Sequence, residues 1–246
     1  MISGYNLSAP FFEIGPKVYL YGEQAVELAI FADTLVEKYH VDILFTAQYT
    51  DIAPIAKKTS HIKVLAQHMD CVYPGRGGLG SVLPEALAEA GASGVMLNHA
   101  EKPLSFGTLN KTIKRADEVG LASVVCADTP EEAAAIAHLS PNVILAEAPE
   151  LIGAGKRTKD DSEIIQRVNR NIWKINPDIK ILHGAGITDQ GDVYEVIFRG
   201  AQGTGSTSGI MKAKDPFEMT EKMISAVRAA WDSTQAGRKT KDDCIS

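Results

Sequence analysis

Short, nearly unbroken apolar runs alternate along this chain with longer stretches in which apolar positions recur every three or four residues. Eight of the short runs read as strands: Phe11–Gly15, Val41–Thr46, Ile62–Gln67, Gly94–Asn98, Leu121–Ala127, Asn142–Glu147, Ile179–Gly184 and Gln202–Ser206. Most are continuous rather than alternating in apolar residues, the pattern of parallel strands covered on both faces. The last, QGTGS, is poor in β-branched residues and is placed by count and position. Between the strands lie helical patterns. Gln24–Lys38 sets Leu28, Phe31, Ala32 and Leu35 on one stripe, and Glu163–Ile175 does the same with Ile164, Val168, Ile172 and Ile175. Thr129-Pro130-Glu131-Glu132 and Asp215-Pro216-Phe217-Glu218 each combine an N-cap side chain, a first-turn proline and an early carboxylate.

Strand–helix alternation repeated eight times predicts an α/β protein, a (β/α)8 barrel in a single domain. A doubly wound open sheet has a similar alternation and is the alternative fold. No linker or shift in composition divides the chain. The barrel is expected over residues 1–232, and a polar, loosely held tail over 233–246.

Composition narrows the class. The chain has 246 residues, 45% of them hydrophobic, enough for a full core without covalent staples. No run approaches the ~18 apolar residues of a membrane span, and no basic region leads into an apolar one at the N-terminus. Neither a membrane nor a secretory route is expected. Cys71, Cys126 and Cys244 are odd in number and lack metal-ligand spacing, which fits free thiols in a reducing cytoplasm. The net charge is −6 with no basic stripe, so nucleic acid is not an expected partner. An anionic small molecule stays open, because local lysines and helix N-termini make anion sites.

In a barrel, the residues at the C-terminal ends of the strands share one face. Here those ends carry Lys17, Gln67, His99 with Glu101, Glu147, Gly184-Ala185-Gly186, and Thr207-Ser208-Gly209. They supply a cation, an imidazole, two carboxylates and two small-residue turns. The turns follow strands seven and eight, where barrels commonly bind phosphate through backbone N–H groups. The set reads as proton abstraction beside a carbonyl on a phosphorylated substrate.

These residues lie in blocks that resemble the triosephosphate isomerase family, in particular its short archaeal-type branch. The clearest are AQHMD (66–70), PGRGGLGSVLPEAL (74–87), GVMLNHAEKPL (94–104), EAPELIGAG (147–155), ILHGAGIT (181–188) and STSGIMKAKDP (206–216). The glutamate followed by IGxG is specific in combination with the upstream NH-x-E. The resemblance implies a TIM barrel with Glu147 as base, His99 as neutral electrophile and Lys17 as the cation that stabilises an enediolate. It assigns phosphate contacts to Ile152 and Gly153 in a lid, to Gly186, and to Thr207, Ser208 and Gly209. Glu101 is a supporting residue, either as a structural brace for lysine or backbone through a buried ion pair or with a part in the mechanism. The implied reaction interconverts D-glyceraldehyde 3-phosphate and dihydroxyacetone phosphate. It needs no cofactor or metal and belongs to glycolysis and gluconeogenesis. A homodimer or homotetramer is expected. The family is itself a well-known case of pKa tuning, in which a glutamate base works beside a neutral histidine under a closing lid.

The chain departs from the family pattern at four places. Gly15-Pro16-Lys17 replaces Asn-aromatic-Lys, Ala100 replaces the serine after the histidine, and Ala148 precedes Pro149 at the lid hinge. The third loop reads Gly77-Gly78-Leu79-Gly80 where the family has a threonine–glycine tip that enters the partner subunit. An altered pocket follows, which keeps open an isomerase of a four- or five-carbon sugar phosphate. A non-catalytic sugar-phosphate-binding protein is the alternative from another class. Other motifs have plainer readings. Gly75-x-Gly77-x-x-Gly80 is separated from its strand by His68–Pro74 and is not a dinucleotide fingerprint. His68-Met69-Asp70 reads as a structural loop rather than a metal pair, and Cys126 as a packed thiol. His183 is an unassigned polar residue that a strand end could turn into the pocket.

Overall fold

The computed structural model describes residues 1–2, 4–147, 159–184 and 186–242. Its strands are β1 (Phe11–Ile14), β2 (Asp42–Ala47), β3 (Lys63–Ala66), β4 (Gly94–Leu97), β5 (Ala122–Ala127), β6 (Val143–Ala146), β7 (Lys180–His183) and β8 (Gly203–Ser206). Each expected strand is present to within one residue at either end. They pair in parallel in chain order, and β8 pairs back onto β1 from Phe11↔Gly203 to Ile14↔Ser206. The sheet is therefore a closed barrel and not the open alternative.

The helices are α1 (Glu23–Tyr39), α2 (Ile52–Lys58), α3 (Pro84–Glu89), α4 (Phe106–Glu118), α5 (Pro130–Ala137), α6 (Lys159–Ile175), α7 (Gln190–Phe198), α8 (Ser208–Met211) and α9 (Pro216–Asp242). The two signed starts form as the capping chemistry requires. Thr129 Oγ1 accepts from the Glu132 N–H at 3.0 Å, and Asp215 Oδ1 accepts from the N–H groups of Phe217 and Glu218. In α6 the fully buried apolar positions are Ile165, Val168 and Ile172, whereas Ile164 and Ile175 are only partly buried against the core. Val168 and Ile172 lie inward as expected, while Ile165 takes the place expected of Ile164 and Asn169 also turns inward to meet β7. The boundary expected at residue 232 falls inside α9, since no proline stops that helix before Asp242.

Strand pleating divides the core. Phe12 and Ile14 face the helices, in the large cluster between sheet and helical layer. Phe11 points the other way, into a barrel interior filled by Leu44, Leu65, Met96, Val124, Cys126, Val143, Leu145 and Leu182. The poor β-propensity of β8 now has a cause. A Cβ on Gly203 would stand 2.5 Å from Phe11 Cε2, so the strand gives up side chains to make room for the ring. Among the described residues, no helix is long and apolar enough to cross a membrane.

Candidate active site

Glu147 extends β6 by one residue, its N–H donating to the Ala127 carbonyl of β5 at 2.9 Å. That bond fixes its backbone at the C-terminal mouth of the barrel. A cavity of about 250 Å³ opens there, lined among others by Glu13, Lys17, Thr46, Gln67, His99, Glu101, Glu147 and Thr207. The structure thus brings together the expected base, imidazole and ammonium with the supporting carboxylate. A second cavity of about 180 Å³ adjoins it on the β7–β8 side, lined by Gly184, Gly186, Ser206, Thr207 and Ser208. Glu13, Lys17, Leu145, Glu147 and Thr207 line both cavities. Gly209 lies in α8 and lines neither. A Cβ there would meet Ser206 Oγ at 2.7 Å and the Ile187 carbonyl at 2.8 Å. Ile152 and Gly153 lie outside the described residues, as do Ala148 and Pro149.

Lys17 has a φ of 46°, a left-handed conformation that a lysine adopts only when its surroundings impose it. They do so through its carbonyl, which accepts from the Gln48 amide at 2.9 Å and the Gln67 amide at 3.1 Å. The ammonium then reaches Glu101 Oε1 at 2.8 Å. That hydrogen bond holds the Glu101 carboxyl below its ordinary range. Glu101 also acts through its backbone, for its N–H donates to His99 Nδ1 at 3.0 Å. A ring nitrogen that accepts cannot carry the proton, so this contact selects the neutral imidazole with hydrogen on Nε2. The turn is fastened by Asn98 at φ 58°, whose amide donates to the Cys126 carbonyl and to Glu132. Its Oδ1 accepts from the Leu104 N–H. The NH-x-E pattern is therefore one device: asparagine holds the turn, histidine is presented, and glutamate orients both histidine and lysine.

Sequence reasoning missed Glu13, Thr46 and Gln48. Glu13 is buried in β1 and accepts from Thr46 Oγ1 at 2.5 Å. Burial pushes its carboxyl up to about 7; the Thr46 bond opposes this and the charge of Glu147 adds to it. The available signal was a lone carboxylate of inward parity with Phe11, two residues before Gly15. Burial also pushes the Cys126 thiol well up, reinforced by Glu147 and Glu13. His183 does not face the cavity, because its Nε2 meets Asn169 Oδ1 of α6 at 2.8 Å. Asp70 ties its own loop by accepting from the Val82 N–H at 2.7 Å and sits 3.3 Å from His68 Nε2. Among the described residues, no group of three or more His, Cys, Asp or Glu is arranged to hold a metal.

A neutral imidazole donor, a carboxylate and an ammonium around one cavity can move a proton between adjacent carbons of a carbonyl compound. The family model for triosephosphate isomerase matches residues 16–226. A triosephosphate isomerase of Methanobacterium bryantii is 39% identical over 214 residues, 86% of this chain and 94% of that protein. One from Sulfurisphaera tokodaii is 37% identical over 227 residues, 91% of this chain and 98% of that protein. The crystal structure of triosephosphate isomerase from Bartonella henselae shares the fold. It has a TM-score of 0.72 and 15% identity, with 89% of this chain and 99% of that chain covered.

Proposed function

This chain belongs to the triosephosphate isomerase family, and from that premise we propose that Glu147, His99 and Lys17 carry its reaction. The reaction is the interconversion of D-glyceraldehyde 3-phosphate and dihydroxyacetone phosphate, an aldose–ketose isomerisation. Glu147 removes the proton from the carbon that bears the hydroxyl, and the carbonyl electrons move onto oxygen. His99 Nε2–H donates to that oxygen, and the ring passes the hydroxyl proton from one oxygen to the other. Glu147 then returns its proton to the neighbouring carbon. Base catalysis of this kind is worth ~10²–10⁴ in rate. Lys17 offsets the charge growing on the enediolate oxygen and meets the ester anion, a contribution that is often the largest single one. The ester phosphate takes the cavity at Gly186, Thr207 and Ser208, on the β7–β8 side.

The observation that carries this reading is that the three groups line one cavity, with His99 held as a donor by the Glu101 N–H. A second substrate class, four- or five-carbon sugar phosphates, is favoured by Gly15, which stands in the cavity wall where the family carries its asparagine amide. A panel of three- to five-carbon aldose and ketose phosphates, assayed with wild type and Glu147→Asp, tests both. The triose pair is expected to give the highest kcat/KM, and Glu147→Asp to lose most of kcat with little change in KM. Tight ester binding with no turnover of any substrate would instead make the protein a sensor.

Cys71 and Cys126 are free thiols, in keeping with a reducing cytoplasm. Val18, Tyr21, Tyr73 and Leu79 are exposed apolar or aromatic side chains that a homodimer or homotetramer would cover.

A further inference from the structure

Glu13 is the buried carboxyl of the cavity that proton transfer does not use. It points into the barrel interior above Phe11, is only 7% exposed, and lines both cavities. Its seat is made by two glycines. A Cβ on Gly15 would stand 3.0 Å from Glu13 Oε1 and 3.1 Å from Thr207 Oγ1. One on Gly205 would stand 2.9 Å from Glu13 Cβ and 3.0 Å from Oε2. Among the described residues no cation forms an ion pair with the group, because Lys17 in the same cavities gives its ion pair to Glu101 and acts on Glu13 only through its charge. Its one hydrogen bond among the described residues comes from Thr46 to Oε1, which leaves Oε2 for a ligand. Inward positions nearby are filled by Phe11, Leu44 and Leu145, and a side chain present only to pack would be apolar as they are.

We propose that Glu13 is a substrate-binding residue that sets specificity for hydroxylated phosphate esters, its carboxyl hydrogen-bonding a hydroxyl of the bound sugar phosphate from the barrel floor. The proposal rests on the isomerase reading only for where the ester lies. The protonated acid suits this role, because an ionised Glu13 would repel the ester dianion. Burial brings its titration to about 7, within the working range. The groups facing it are Glu147 at the end of β6, Lys17 after β1, the Cys126 thiol of β5 and the uncharged Thr46 hydroxyl of β2. Gly205 and Ser206 of β8 bring no charge. Glu147 and the ester both disfavour a second carboxylate, so the ester binds more tightly below pH 7 than above.

Calorimetric titration with sn-glycerol 3-phosphate and with n-propyl phosphate tests this, since the two differ only in hydroxyls and neither is turned over. Wild type is expected to prefer the glycerol ester, and Glu13→Leu to cut that preference about tenfold. Glu13→Gln keeps both donor and acceptor, so it is expected to retain the preference. It is also expected to lose the weakening of binding between pH 6.5 and pH 8 (about half a unit below the titration point to one unit above it) that wild type shows. A preference unchanged in Glu13→Leu, or absent from wild type, overturns the proposal. So does a pH dependence that Glu13→Gln keeps, a comparison that stands even if Glu13→Leu does not fold. A wild type that shows the preference but isomerises nothing would refute the isomerase reading and leave this one standing. An active enzyme indifferent to Glu13 would do the reverse.

Discussion

Lys17 and Glu13 sit four residues apart on one strand end and share one cavity, yet they do not pair. Lys17 is turned by its left-handed backbone toward Glu101, and Glu13 is left with a hydroxyl partner. The carboxyl therefore stays protonated in the fold up to about pH 7, while in the unfolded chain it titrates near 4.5. The folded state binds the extra proton between those values. The stability this confers is complete below the lower value and lost as pH rises through the upper. Urea unfolding of wild type and Glu13→Gln at pH 5 and pH 8 reads it directly. The advantage of wild type over the variant is expected to fall by about 2 to 3 kcal/mol across that range. An unchanged difference would mean the carboxyl is not buried as described. The places of Glu147 and His99 at the cavity were legible because each follows an apolar run and lies in a block that resembles the family, and that of Lys17 because it follows the first strand. Glu13 was not, because one carboxylate inside FFEIG reads as strand until the pleat shows which way it points. His183 erred the other way. Its place at a strand end was legible, but Asn169, far along the chain in α6, claims the ring.

At the scale of elements, β8 shows what periodicity misses. GTGS has only Thr204 as a strand-favouring residue, and its order comes from pairing with β1 and β7 and from the Phe11 ring that needs its space. Gly203→Ala puts a methyl group 2.5–2.7 Å from Phe11 Cε2, Cδ2 and Cζ. An overpacked core of this kind costs about 1–3 kcal/mol. The thermal midpoint is expected to drop by several degrees, and Phe11→Leu in the same chain to recover part of it, because neighbouring changes couple. Additive losses would mean that the ring does not set this strand. The other strands were legible to within a residue because both faces of each are covered, which keeps their apolar runs unbroken. In α6 the middle of the stripe, Val168 and Ile172, was legible, but its ends at Ile164 and Ile175 were misread for the opposite reason. A polar residue, Asn169, takes a position on its inner face, and no apolar count finds that.

At the scale of the molecule, closure of the sheet is what joins the parts. Lys17, His99 and Glu147 come from β1, β4 and β6, and only a barrel in chain order brings those strand ends around one cavity. The barrel itself was legible from the eightfold alternation, but alternation alone could not exclude an open sheet. Pairing of Phe11–Ile14 with Gly203–Ser206 excludes it. The proposed chemistry makes Glu147 the carrier of a proton that exchanges with water while the enediolate lives. Conversion of dihydroxyacetone phosphate in deuterium oxide, followed by proton resonance for wild type and Glu147→Gln, tests that most directly. Wild type is expected to form glyceraldehyde 3-phosphate carrying deuterium on the carbon that Glu147 serves, with label returning to the remaining ketose. Glu147→Gln is expected to be slower by ~10²-fold or more. Label appearing at the wild-type rate in Glu147→Gln would contradict the account.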